Sequence, residues 1–189
     1  GDGVISYEQD RGYVGAAAYP KFVGGLSFSG DWKGIDLSFL FQAGLGRDVA
    51  LTGVYSGGIM DNTQMTKPFY HGGNSPKYLV ENSWREDNTN AEFPRLSIVQ
   101  ASSNNAYSST FWYRSGDYLR LKNLQIGYTF PQKWMSRIGI DRLRIYFEGQ
   151  NLWTVSELTK FNIDPEQPGV SNGYYPQQRI FSFGVNLAF

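Results

Sequence analysis

The chain of 189 residues has no cysteine and a single histidine, His71. The first absence excludes disulfide staples and thiolate metal sites, and one imidazole cannot build a histidine metal cluster. Charge of one sign is not in excess either. Lys and Arg number 17, Asp and Glu number 17, and the formal net charge is zero. No basic stripe marks a nucleic-acid partner, and none is expected. Runs of about 18 apolar residues are absent, so no transmembrane helix is encoded, and the opening GDGVISYEQD lacks the apolar core of a signal peptide. A catalytic constellation is missing as well. There is no nucleophile elbow and no pair of metal ligands, and the glycine-rich GVYSGG (Gly53 to Gly58) lacks the Lys-Ser that would cradle phosphate. The chain is not expected to be an enzyme.

What is present is aromatic and small. There are 13 Tyr, 13 Phe, 5 Trp and 22 Gly, yet the mean hydropathy is −0.40. Transmembrane β-strands have this mixture because only alternate residues meet lipid. A soluble β-sandwich shares it.

Five segments alternate with a period of two, the signature of a two-faced strand. They are Phe22 to Trp32, Ile35 to Gly44, Tyr118 to Phe130, Arg142 to Trp153 and Phe181 to Phe189. In the last, Phe181, Phe183, Val185, Leu187 and Phe189 alternate with Ser182, Gly184, Asn186 and Ala188. In the third, Leu119 and Leu121 sit on the opposite parity from Leu124, Ile126 and Tyr128. Either a bulge falls near Lys122 and Asn123, or the strand leaves its apolar surroundings there. Helix signals are confined to single turns within Gln132 to Ile140 and Tyr78 to Asp87. The expected fold class is all-β and antiparallel.

Connection lengths alternate. Lys33 and Gly34 alone join the first two strands, whereas the second and third are separated by a long polar segment, about 46–115. In a meander this sorts tight turns to one end and long loops to the other, as in outer-membrane barrels. The strands also exceed the usual five or six residues and approach the roughly 9–11 that cross a bilayer at a tilt. Aromatics near strand ends, Trp32, Tyr128, Phe130, Trp134, Trp153 and Phe189, are candidates for the interfacial girdle. Five strands cannot close a membrane barrel, which needs about eight or more, so the chain is expected to be part of a larger one.

The stretches YLRLKNLQIGYTFPQKW (118–134), IGIDRLRIYFEGQNLWT (138–154) and YYPQQRIFSFGVNLAF (174–189) resemble the C-terminus of SusC-like TonB-dependent outer-membrane transporters. The upstream GDGVISYEQDRGYVG and PKFVGGLSFSGDWKGIDLSFLFQ are similar to the same family, and only the segment from about Val49 to Thr110 matches loosely. The resemblance implies that residues 1–189 supply the last five strands of a plugged barrel of about 22. It implies residence in the outer membrane of a Gram-negative bacterium. The implied partners are the rest of the barrel, the plug domain, a SusD-like surface lipoprotein, the TonB complex, outer-membrane lipid and the barrel-assembly machinery, which would read Phe189. The implied activity is import of oligosaccharide, glycan or peptide. A soluble β-sandwich carbohydrate-binding or adhesion module and a passive porin fragment are the competing readings.

Candidate site residues follow from the same patterns. Tyr70, His71, Trp84, Trp112 and Tyr113 lie in or beside the long loop, where aromatic faces stack on sugars or pack internally. Arg142, Arg144 and Glu148 oppose the greasy face of their strand and would line the lumen, where pairing with neighbours competes with substrate contact. Asp2, in the GDG turn, and Asp10 resemble part of a calcium loop, although Gln9 holds the closing position, and a plain Gly-Asp turn without metal is the competing and preferred reading. No other cofactor is expected.

Overall fold

The computed structural model describes residues 3–4, 6, 8–13, 15–51, 76–96, 109–168 and 177–189. Five long strands form one antiparallel sheet: β1 (Phe22–Trp32), β2 (Ile35–Leu45), β5 (Tyr118–Thr129), β6 (Arg142–Ser156) and β7 (Ile180–Ala188), in the order β1-β2-β5-β6-β7. Among the described residues β1 and β7 are edges. Two further strands, β3 (Asp48–Ala50) and β4 (Tyr113–Ser115), pair with each other beyond the ends of β2 and β5. Both fall within the segment expected as one long loop, and at three residues each they are too short to show a period.

The turn at Lys33 and Gly34 has φ of 50° and 88°. Two consecutive positive φ values match the right-handed twist of the flanking strands and so make a tight hairpin. Glycine is needed at the second position, since a Cβ there would sit 2.6 Å from the Thr129 carbonyl oxygen. The Thr129 amide donates back to the Gly34 carbonyl at 2.7 Å, fastening the hairpin to β5.

Register makes the two faces continuous. Phe28 opposes Phe39, Phe39 opposes Leu124, Leu124 opposes Gly149, and Gly149 opposes Phe181. The neighbouring row runs Gly30, Leu37, Ile126, Phe147 and Phe183. The parity break in β5 is a bulge. Leu40 opposes Asn123 but Phe41 opposes Leu121, so Lys122 is the extra residue and both halves of β5 keep their leucines on the apolar side.

That apolar face is open: Leu26, Phe28, Ile35, Ile126, Ile145, Phe181 and Val185 are all exposed, and Phe183 is 82% so. Rings pack along it rather than beneath anything. Phe28 stacks on Phe39 at 5.4 Å, and Phe147 meets Phe183 at 5.2 Å. Soluble monomers rarely show a contiguous apolar patch beyond a few hundred Å², and each such side chain gains roughly 1.5–3 kcal/mol on leaving water. A β-sandwich would cover this face with a second sheet. Among the described residues none does.

The enclosed core lies elsewhere, over the loop end of the sheet. Val49, Leu51, Leu79, Phe93, Trp112, Leu158, Phe161 and Ile163 form one buried cluster. It is assembled from β3, a helical turn at Lys77–Glu81, 3-10 turns at Thr110–Trp112 and Glu157–Phe161, and the irregular segments that carry Leu51, Phe93 and Ile163. At the opposite end, a second helical turn, Gln132–Met135, runs into a 3-10 turn that Gly139 ends with φ of 73°. The chain is thus a wall with a cap on one end.

Candidate functional site

The opposite face of the wall is polar, and its side chains bond across strands. Arg144 Nε donates to Asp36 Oδ1 at 2.9 Å and its Nη2 to Oδ2 at 2.5 Å. Their strands are separated by β5, where Gly127 is the residue beneath. The absent side chain is what lets the pair close, because a Cβ on Gly127 would lie 2.5 Å from Asp36 Oδ1 and 2.6 Å from Arg144 Nη2. Gly127→Val is therefore expected to break the pair and cost about 1–3 kcal/mol by overpacking. Urea titration of the refolded protein checks it, and an unchanged midpoint would show the side chains simply move aside. Arg144 also covers the Tyr146 ring at 4.7 Å. Glu148 accepts from Gln150 at 3.2 Å. Arg142, on the same face of β6, is exposed.

Nearer the cap a denser cluster forms. Arg120, only 3% exposed, sits under the turn that follows Ile163. Its Nη2 donates to Asp164 Oδ2 at 2.9 Å, its Nη1 donates to Glu166, and its Nε donates to Thr154 Oγ1 at 2.9 Å. Lys122, the bulge residue, donates to the same Glu166 carboxylate at 2.9 Å. The Tyr118 hydroxyl reaches Glu166 at 3.4 Å and accepts from Gln42 at 3.2 Å. A segment of the loop after β6 therefore folds back against the polar face of the sheet, with its carboxylates on two cations of β5. Arg120, Lys122, Asp164 and Glu166 were not site candidates from sequence. The only trace of them was the parity break at Lys122.

The cap holds a third ionic group. Glu92 accepts from Tyr78 Oη at 2.7 Å, Lys160 Nζ at 3.1 Å and Arg114 Nη2 at 3.3 Å. Burial pushes the Glu92 carboxyl up, but these three donors outweigh it and hold its pKa below the usual value. The same bond and burial raise the Tyr78 pKa. A depressed carboxyl contributes stability above its unfolded pKa that is lost as pH falls through its folded one. Amide exchange in the cap should speed up below the ordinary glutamate range, and Glu92→Gln should flatten that dependence. Equal pH profiles would show that the carboxylate contributes nothing.

The aromatic candidates separate. Trp112 is 4% exposed and packed between Phe93 at 6.3 Å and Phe111 at 4.8 Å, so protein occupies its ring. Trp84 lines an open cavity of about 370 Å³ with Val80, Arg85 and Arg95. Tyr113 lines another of about 330 Å³ with Arg47, Asp48 and Pro168. Tyr70, His71 and Asp2 lie outside the described residues. Asp10 accepts from the Ser6 amide at 2.6 Å, closing a turn. Among the described residues no group of three or more His, Cys, Asp or Glu side chains converges as a metal site.

Of the girdle candidates, Trp32, Tyr128, Phe130, Trp134 and Phe189 gather at the tight-turn end, while Trp153 opposes Leu121 toward the cap. Lys33 Nζ lies 4.6 Å over the Trp32 ring, and Tyr128 meets Phe130 edge-on at 5.0 Å. Phe189 is 85% exposed on the apolar side, immediately after β7.

No family model matches the chain. Over its whole length it is 29% identical to TonB-dependent receptor P3 and 27% identical to TonB-dependent receptor P26, both of Formosa agariphila. Over 54% of its length it is 30% identical to TonB-dependent receptor SusC of Bacteroides thetaiotaomicron. The chain spans only 18%, 19% and 10% of those relatives respectively. Among solved structures it resembles the RagAB peptide transporter, with a TM-score of 0.63 and 25% identity over 93% of this chain and 18% of that one. It also resembles the RagAB peptide importer in its open-open state, with a TM-score of 0.59, 27% identity, and 92% and 18% covered.

Proposed function

We propose, from the premise that the chain is a homologue of SusC-type TonB-dependent receptors, that it is five neighbouring strands of an outer-membrane importer's wall. Its apolar face meets lipid and its polar face lines the lumen. The cap stands on the outer surface of a Gram-negative cell, where a SusD-like lipoprotein would close over it. The whole protein takes up oligosaccharide or peptide, with energy supplied through TonB by parts outside this chain. The observation that carries the reading is the open apolar face backed by a cross-bonded polar one, with the two longest connections, β2 to β5 and β6 to β7, at one end. Peptide as cargo is supported by the likeness to RagAB.

The test is uptake by cells carrying the full-length gene, measured for a labelled peptide mixture and a labelled oligosaccharide mixture, with and without TonB. Accumulation of either that needs TonB is expected. Equal accumulation without TonB would replace the importer with a passive pore. If residues 1–189 expressed alone gave a monomer in plain buffer, the membrane wall itself would be excluded.

A further inference from the structure

Asp164 and Glu166 end on a short turn that is shaped before it reaches the wall. Asp164 Oδ1 accepts from the Glu166 amide at 2.9 Å, and the Gln167 amide donates to the Asp164 carbonyl at 3.1 Å. On its upstream side the turn is anchored in the cap core by Phe161 and Ile163. The wall beneath offers a fixed set of donors: both Nη atoms of a buried Arg120, Lys122 Nζ and the Tyr118 hydroxyl. Arg120 is held in place independently of the turn by Thr154. We infer that Arg120 and Lys122 form a lumenal receptor for carboxylates, that Asp164 and Glu166 are its tethered occupants, and that an acidic solute exchanges with them. This rests on the importer reading above and adds a chemical class of cargo to it.

The physics of exchange favours this over a plain structural clamp. Taking the charges out of water is costly and their mutual attraction roughly offsets that cost, so the tether gains little net energy from being bound. Replacing one carboxylate by another leaves every donor on Arg120 satisfied and creates no unpaired buried charge. Because Phe161 and Ile163 fix the turn beside the wall, the tethered pair competes at a high effective concentration. A solute with one carboxylate is outcompeted, whereas one carrying several adjacent carboxylates displaces both occupants together. The site would then discriminate by acidic valency.

The experiment uses the full-length importer in detergent with triglutamate and trialanine as probes, measured by calorimetry at low salt. Asp164→Asn with Glu166→Gln removes the tethered anions and keeps the shape of the turn. Triglutamate is expected to bind this variant about tenfold more tightly than the native protein, with trialanine unchanged. Adding Lys122→Gln should reverse most of the gain. Equal triglutamate affinity in native and double-variant proteins, with TonB-dependent uptake intact, would overturn the receptor and leave the importer reading standing. An equal gain for both peptides would also overturn it, since it would report a widened lumen and not a carboxylate site. Loss of TonB dependence in the native protein would instead strike the importer reading.

Discussion

Phe39→Arg in the full-length barrel is expected to cost about 2–4 kcal/mol, the depth-dependent penalty for a cation near the bilayer midplane on the face proposed to meet lipid. Phe39 lies at the middle of β2, stacked on Phe28 and edge-on to Phe41 at 5.5 Å. Its row continues through Leu124 and Gly149 to Phe181, so no polar side chain in that row could receive the guanidinium. Ser29→Arg provides the contrast. Ser29 is on the adjacent strand, pairs with Ser38, and faces the polar side. On the proposed lumenal side an arginine would have water and acceptors, and the cost should stay within about 0.5 kcal/mol. Folding into bilayers, followed by the heat-dependent shift of folded barrels on gels, separates the two. Equal penalties for both variants would mean that the faces are not in different solvents.

Arg120→Met should cost about 3–5 kcal/mol, the usual result of taking one partner from a buried ionic network. Two carboxylates would be left against an apolar side chain, with Lys122 alone to balance them. Replacing the whole set is a different matter. Arg120→Met combined with Asp164→Asn and Glu166→Gln removes the stranded charges and should recover most of the loss, a coupling that only neighbours sharing a network show. Urea unfolding in bilayers gives the energies, and limited proteolysis after residue 161 reports whether the turn has left the wall. Additive losses in the triple variant would mean that the three residues act separately.

The wall was legible in the sequence because alternation is local: Phe22 to Trp32 or Phe181 to Phe189 can be read without knowing any neighbour. Even the bulge was posed by the parity of Leu121 against Leu124, although only pairing with β2 could choose it over the alternative. The cap was not legible. Its core joins Leu51, Leu79, Phe93 and Phe161 from segments with no shared period. Trp112 has the same composition-level appearance as Trp84, yet one is enclosed and the other lines a cavity. The inward turn was hidden for a related reason. Arg120 and Glu166 are 46 residues apart, and neither position breaks a pattern that a local reading would notice. Gly127 carries no signal of its own in the sequence, because its role depends on Asp36 and Arg144 meeting above it.

The enclosed core in the cap and the open face of the wall also differ in what heat will do to them. A positive heat-capacity change on unfolding arises when apolar surface passes into water. Side chains such as Phe183 and Leu26 are outside the protein's own core already, so in a membrane or micelle their surroundings remain hydrocarbon until the strand leaves it. Phe93, Phe161 and Leu158 pass from a dry interior into water directly. The calorimetric signature of an ordinary globular protein should therefore come from the cap, and the wall beneath it should melt with little change in heat capacity.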